Sequence, residues 1–197
     1  MPLKALNRRN PSKGYCPRPK IWEINNMKWL TDNVRLEQTD KNGIWKTLDN
    51  QLFQDEDGRI YLAPRYILTD GYTIPNWIAW LGGSKMQWDT RCSTQHDLEC
   101  KYAQVIVVTL TEWQLRRLRY LKVYNNKIVC ENIPKKYLFV KKTTFNETNN
   151  RFKRMMMTSF NIPKWRVNLM RFAVNFNFGW HSCKDSIDLN KIYKEEL

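Results

Sequence analysis

Short apolar and β-branched runs alternate with turn signals from Ile21 to Leu68, and after Pro75 the apolar spacing lengthens to that of helices. Lys41-Asn42-Gly43 and Glu56-Asp57-Gly58 punctuate the first stretch. The pattern predicts an antiparallel meander with strands near 34–39, 44–48, 59–62 and 66–68. Further on, Trp77, Ile78, Trp80 and Leu81 form an apolar turn closed by Gly82-Gly83, and residues 90–102 read as a helix. Thr111-Glu112-Trp113-Gln114 has the form of a capping box, where hydroxyl and amide side chains satisfy each other's backbone N–H groups. It opens a predicted helix to about Val123, with Leu115, Leu118 and Leu121 on the apolar side. Two more helices are expected over 147–160 and 164–177, with Pro163 at the first helical position, where its missing N–H costs nothing. The expected fold class is α+β: short antiparallel strands in the N-terminal half, then about four helices. A single domain over 21–180 follows an extended arm over 1–20, where Pro2, Pro11, Pro17 and Pro19 prevent a long helix. An extension over 181–197 is expected to hold a short helix.

Composition narrows the class. With 42% hydrophobic residues, 197 residues bury one sizeable core. No run approaches the roughly 18 apolar residues of a membrane helix, and the basic start lacks the apolar segment of a secretory signal, so a soluble intracellular protein without membrane contact is expected. Five cysteines, odd in number and without a Cys-x-x-Cys pair, predict reduced thiols instead of a disulfide framework or zinc ribbon. The net charge of +14 is concentrated: residues 1–20 hold six Lys or Arg and no acid, and residues 141–171 hold eight against Glu147 alone. A polyanionic neighbour is implied, either nucleic acid or an acidic protein face. Candidates for DNA contact or electrostatic steering are Lys4, Arg8, Arg9 and Lys13 in the arm, Arg116, Arg117 and Arg119 on a predicted helix, and Lys141, Lys142, Arg151, Lys153 and Arg154. Nine tryptophans exceed the needs of one core, and Trp with Arg is the pairing that dominates protein-interface hot spots.

The unusual polar chemistry lies in Thr69-Asp70-Gly71-Tyr72-Thr73-Ile74-Pro75 and in His96-Asp97. An Asp-Gly turn followed by Thr and Pro at fixed offsets makes a defined corner. Asp70, His96 and Asp97 could converge on a metal ion or water in a hydrolase. The alternative is that Asp70 caps a turn or helix that His96 and Asp97 hold in place through hydrogen bonds. Cys92, His96 and Cys100 lie along one helical face, but eight residues of helix rise about 12 Å. Both thiolates cannot then reach one zinc, and no cofactor is expected. Met155-Met156-Met157 is either core or an adaptable binding surface.

The order of Asp70, Thr73, Ile74, Pro75, Trp80, His96-Asp97, Arg151-Phe152, Met156, Ile162-Pro163-Lys164-Trp165-Arg166 and Met170 to Val174 resembles the phage and bacterial family called domain of unknown function 1353. The likeness covers about residues 58–179. That family carries an acid on its late helix where this chain has Asn149 and Asn150, so one carboxylate of the pattern is missing. Nineteen Asn and 19 Lys against 14 Arg suggest an A/T-biased gene. In size, basicity and this bias the whole chain resembles the staphylococcal phage type of protein that binds the host RNA polymerase sigma factor and inhibits transcription. That resemblance implies a non-enzymatic protein of the host bacterial cytoplasm, with nonspecific contact to promoter DNA. A hydrolase using Asp70, His96 and Asp97, or a virion or nucleic-acid-binding protein, are the alternatives.

Overall fold

The computed structural model describes residues 27–32, 34–39, 43–69, 90–159, 163–176 and 186–192. Asp70 to Pro75, the basic arm and Trp77 to Gly83 lie outside them. Ten strands are described: β1 (Lys28–Trp29), β2 (Leu36–Gln38), β3 (Trp45–Thr47), β4 (Gln51–Gln54), β5 (Ile60–Ala63), β6 (Leu68–Thr69), β7 (Gln104–Val108), β8 (Leu121–Tyr124), β9 (Lys127–Cys130) and β10 (Leu138–Lys142). The helices are α1 (Thr90–Tyr102), α2 (Glu112–Arg117), α3 (Phe145–Thr158), α4 (Lys164–Phe176) and α5 (Leu189–Ile192). The fold is α+β.

A five-stranded antiparallel sheet, ordered β1-β4-β5-β7-β10, forms the middle layer. A smaller sheet, β2-β3-β6, and a ribbon, β8-β9, flank it. Successive strand residues point to opposite faces, and both faces of the sheet are covered. Phe53, Tyr61, Val105 and Val107 pack with Phe152, Met155 and Met156 of α3 and Val167 and Met170 of α4. Leu52, Ile60, Leu62, Ile106 and Val108 pack with Leu115 of α2, Leu121 and Cys130 of the ribbon, and Ile187. Each of the wholly buried Leu, Ile and Phe side chains contributes about 1.5–3 kcal/mol.

The four expected strands near 34–39, 44–48, 59–62 and 66–68 correspond to β2, β3, β5 and β6, but they do not form one meander. They divide between two sheets, and the larger sheet takes β7 and β10 from the second half of the chain. The 55–58 turn does join neighbours, β4 and β5, with Gly58 at φ +78°. Helix α1 spans the expected 90–102. The capping box at Thr111 and Gln114 is formed, but α2 stops at Arg117 and does not run to Val123. Tyr120 N–H donates back to the Leu115 carbonyl and Arg119 turns left-handed at φ 60°, closing the helix so that Leu121 starts a strand. A second capping box, Thr144 with Glu147, starts α3 at Phe145 instead of 147. The β8-β9 turn places Asn125 and Asn126 at φ 48° and 60°, the doubly left-handed geometry of a tight hairpin that Asn tolerates. Among the described residues no helix is long and apolar enough to cross a membrane.

Candidate functional site

Helix α1 is polar and yet buried: Arg91, Ser93, Thr94, Gln95 and Glu99 are all shielded from solvent. Ser93 and Thr94 donate their hydroxyls to the Thr90 carbonyl at 2.9 Å, satisfying themselves within the helix. Arg91 turns to the Thr31 carbonyl, and Glu99 with Gln95 forms a seam against α3. Glu99 accepts from Gln95 Nε2 at 2.8 Å and from Arg151 Nη1 across the interface. The Arg151 guanidinium lies 4.1 Å over the Tyr61 ring. Burial opposes the Arg151 charge, but the Glu99 carboxylate, Tyr61 and Asp55 outweigh it and hold its pKa above the ordinary value. Burial also pushes the Glu99 carboxyl up, against the pull of Arg151, Gln95 and Thr148. Arg154 next to it makes two 2.6 Å bonds to Asp55, a bidentate pair.

One turn along the seam, His96 Nε2 lies 3.0 Å from Asn149 Oδ1 and 3.5 Å from Cys100 Sγ, with its ring 4.5 Å from that of Phe152. The Cys, His and Asn have the composition of a thiol nucleophile, its base and an orienting amide. Their electrostatics run the other way. Burial, with Asp97 and Glu99 nearby, pushes the Cys100 thiol up to about 12. Burial also lowers the His96 pKa despite the Asn149 bond. A reactive thiolate needs the opposite pair of shifts; the contact between His96 and Asn149 joins α1 to α3. Asp97 accepts from Thr69 Oγ1 at 2.5 Å, tying the end of β6 to α1. The expected convergence of Asp70 with His96 and Asp97 lies outside the described residues, because Asp70 does. Cys92 turns away to Ser159, at 3.3 Å, and joins the α3 core, so it does not share a ligand site with Cys100. Among the described residues no three His, Cys, Asp or Glu side chains converge as metal ligands.

The basic candidates separate by burial. Lys4, Arg8, Arg9 and Lys13 lie outside the described residues. Arg116, Arg117, Arg119, Lys141 and Lys142 are exposed and Lys153 is half-buried. Arg116 is held by Glu112 at 3.0 Å, and Arg117 stacks 5.0 Å over Trp113. Arg151 and Arg154 do not fit a DNA-contact role. The side chain of Arg151 is 6% exposed and paired with Glu99, and Arg154 is committed to Asp55. The seam residues Tyr61, Glu99, Gln95 and Asp55 carry no local signal apart from the i, i+4 spacing of Gln95 and Glu99. Of the Met run, Met155 and Met156 are core and Met157 is half-exposed. Large apolar side chains stand out on α2 and the ribbon: Trp113 is 64% exposed, and Val123 and Tyr124 are each 69% exposed. Comparison of the chain with protein-family models, with curated proteins and with solved structures finds no match.

Proposed function

We infer that the chain is a phage-encoded binding protein that acts in the host bacterial cytoplasm. It targets host RNA polymerase through the sigma factor and inhibits or redirects transcription, with nonspecific phosphate contacts to promoter DNA. The observation that carries the binding reading is the outward placement of Trp113 with Arg117 stacked on it at 5.0 Å, together with the exposure of Tyr124 and Val123 on the ribbon. An aromatic ring and an arginine held in solvent are the composition of an interface hot spot. The excess positive charge steers such a surface to an acidic partner. The polymerase and phage assignments rest on the sequence resemblance. The test is direct binding of the purified protein to polymerase holoenzyme and to isolated sigma factor from a low-G+C bacterium. The expected result is binding to both, and the reading fails if it binds neither.

A second reading, a hydrolase using Asp70, His96 and Asp97, is favoured by the Thr69–Asp97 bond, which joins the two halves of the polar motif. In that case Asp97→Ala abolishes an activity that the folded wild-type protein possesses.

A further inference from the structure

Between β1, the turn of the β8-β9 ribbon and the adjoining ends of α1 and α3 lies a cleft of about 740 Å³. Met27, Trp29 and Met157 give its wall an apolar surface, and Lys28, Arg91 and Lys127 give it positive charge. Asp32 on this lining accepts the Ile128 N–H and keeps its negative charge, and Lys28 is balanced by Glu112 at 2.5 Å, so Arg91 and Lys127 together outweigh the acid by a single positive charge. Arg91, itself 8% exposed, donates to the Thr31 carbonyl at 2.6 Å and lies 4.7 Å over the Trp29 ring, so its charge is fixed in the wall. Lys127 stands exposed at the rim. The cleft therefore joins an adaptable thioether floor to a net positive rim.

The same contacts decide between classes of ligand. Arg91 at 4.7 Å and Phe53 at 5.2 Å engage the Trp29 ring, which leaves it a poor platform for a nucleobase. Two methionines match alkyl or aromatic side chains better than a sugar-phosphate chain. We propose that this cleft receives an acidic segment of a partner protein. Its apolar anchor lies against Met27 and Met157, and its carboxylates face Lys127 with the fixed charge of Arg91 behind. The inference rests on the protein-binding function above and gives that function a surface in addition to the one that Trp113 and Arg117 carry. It also accounts for Met157, the one residue of the Met run that leaves the core.

The experiment compares full-length wild type with Lys127→Glu, Met157→Glu and Lys136→Glu in affinity for polymerase holoenzyme, each variant first checked for native circular dichroism. The exposed Lys136 lies just before β10, which is at the opposite sheet edge from β1 and roughly 19 Å away by strand spacing. The expected result is a loss of at least about tenfold for Lys127→Glu and Met157→Glu, and a change within about twofold for Lys136→Glu. If the wild type binds and the two cleft variants bind equally well, or all three variants lose affinity alike, the cleft assignment is overturned while the binding function stands. If the wild type binds neither holoenzyme nor sigma factor, that function falls, and the peptide acetyl-Glu-Asp-Leu-Phe-Asp-Glu-amide decides the cleft. Shifts of the Trp29 indole N–H and Met157 methyl resonances that Lys127→Glu abolishes sustain it, and their absence overturns it.

Discussion

A carboxylate in place of the Asn149 amide, 3.0 Å from His96 Nε2, would favour the imidazolium that burial disfavours. Asn149→Asp is therefore expected to raise the His96 pKa, read from an NMR pH titration of the ring protons; an unchanged value would show that Asn149 does not set it. In the wild type the sign for stability follows from the depressed value. Well above the ordinary value of about 6.5, His96 is neutral in both folded and unfolded chains and contributes no pH dependence. Below that, the unfolded chain takes up the proton first, so stability attributable to His96 falls with pH until the folded-state value is passed. The sequence made Asp70, His96 and Asp97 visible as a set, because unusual polar residues at motif spacing stand out, whereas Asn149 drew attention only through the family resemblance. It did not reveal Arg151 as buried. A charge count treats every arginine alike, and the Glu99 that neutralises this one lies 52 residues away.

Helices α1 and α3 are joined by a buried ion pair, and such a pair costs most when one half is removed. Arg151→Ala, which strands Glu99 in a site with no exposure, is expected to destabilise the protein by about 3–5 kcal/mol in chemical denaturation. The double variant Glu99→Gln with Arg151→Met is expected to recover most of that loss. If single and double variants lose the same amount, the pair is not the joint. Elements with local punctuation were legible: the Gly58 turn, the Thr111 capping box, and α1 and α4 over nearly their whole lengths. Strand β7 was not, because Val105 to Val108 is buried on both faces and so shows no alternation. The ribbon was hidden for another reason. Leu115, Leu118 and Leu121 keep a helical spacing across a chain reversal made by Arg119, where no glycine marks the turn.

At the scale of the whole molecule, the net charge of +14 predicts salt-sensitive association with polyanions. Since Arg151 and Arg154 are committed internally, the exposed Lys141 and Lys142 carry the test. Replacing both by Gln is expected to lower the slope of log affinity for duplex DNA against log salt by roughly 0.9 for each phosphate no longer neutralised. An unchanged slope removes the β10 edge from the DNA-contact model. The domain layout was legible only in outline, because β-pairing partners far apart in sequence leave no local trace. That same long-range pairing has a consequence for synthesis. Strand β5 waits for β7, which pairs Leu62 with Ile106, and β7 waits in turn for β10, which pairs Ile106 with Val140. A nascent chain that has emerged only as far as β6 presents an open strand edge, with Leu52 and Leu62 still uncovered, the state from which edge-to-edge association starts. The pace of translation from β6 to β10 therefore sets how long that edge stays open before β7 and then β10 cover it.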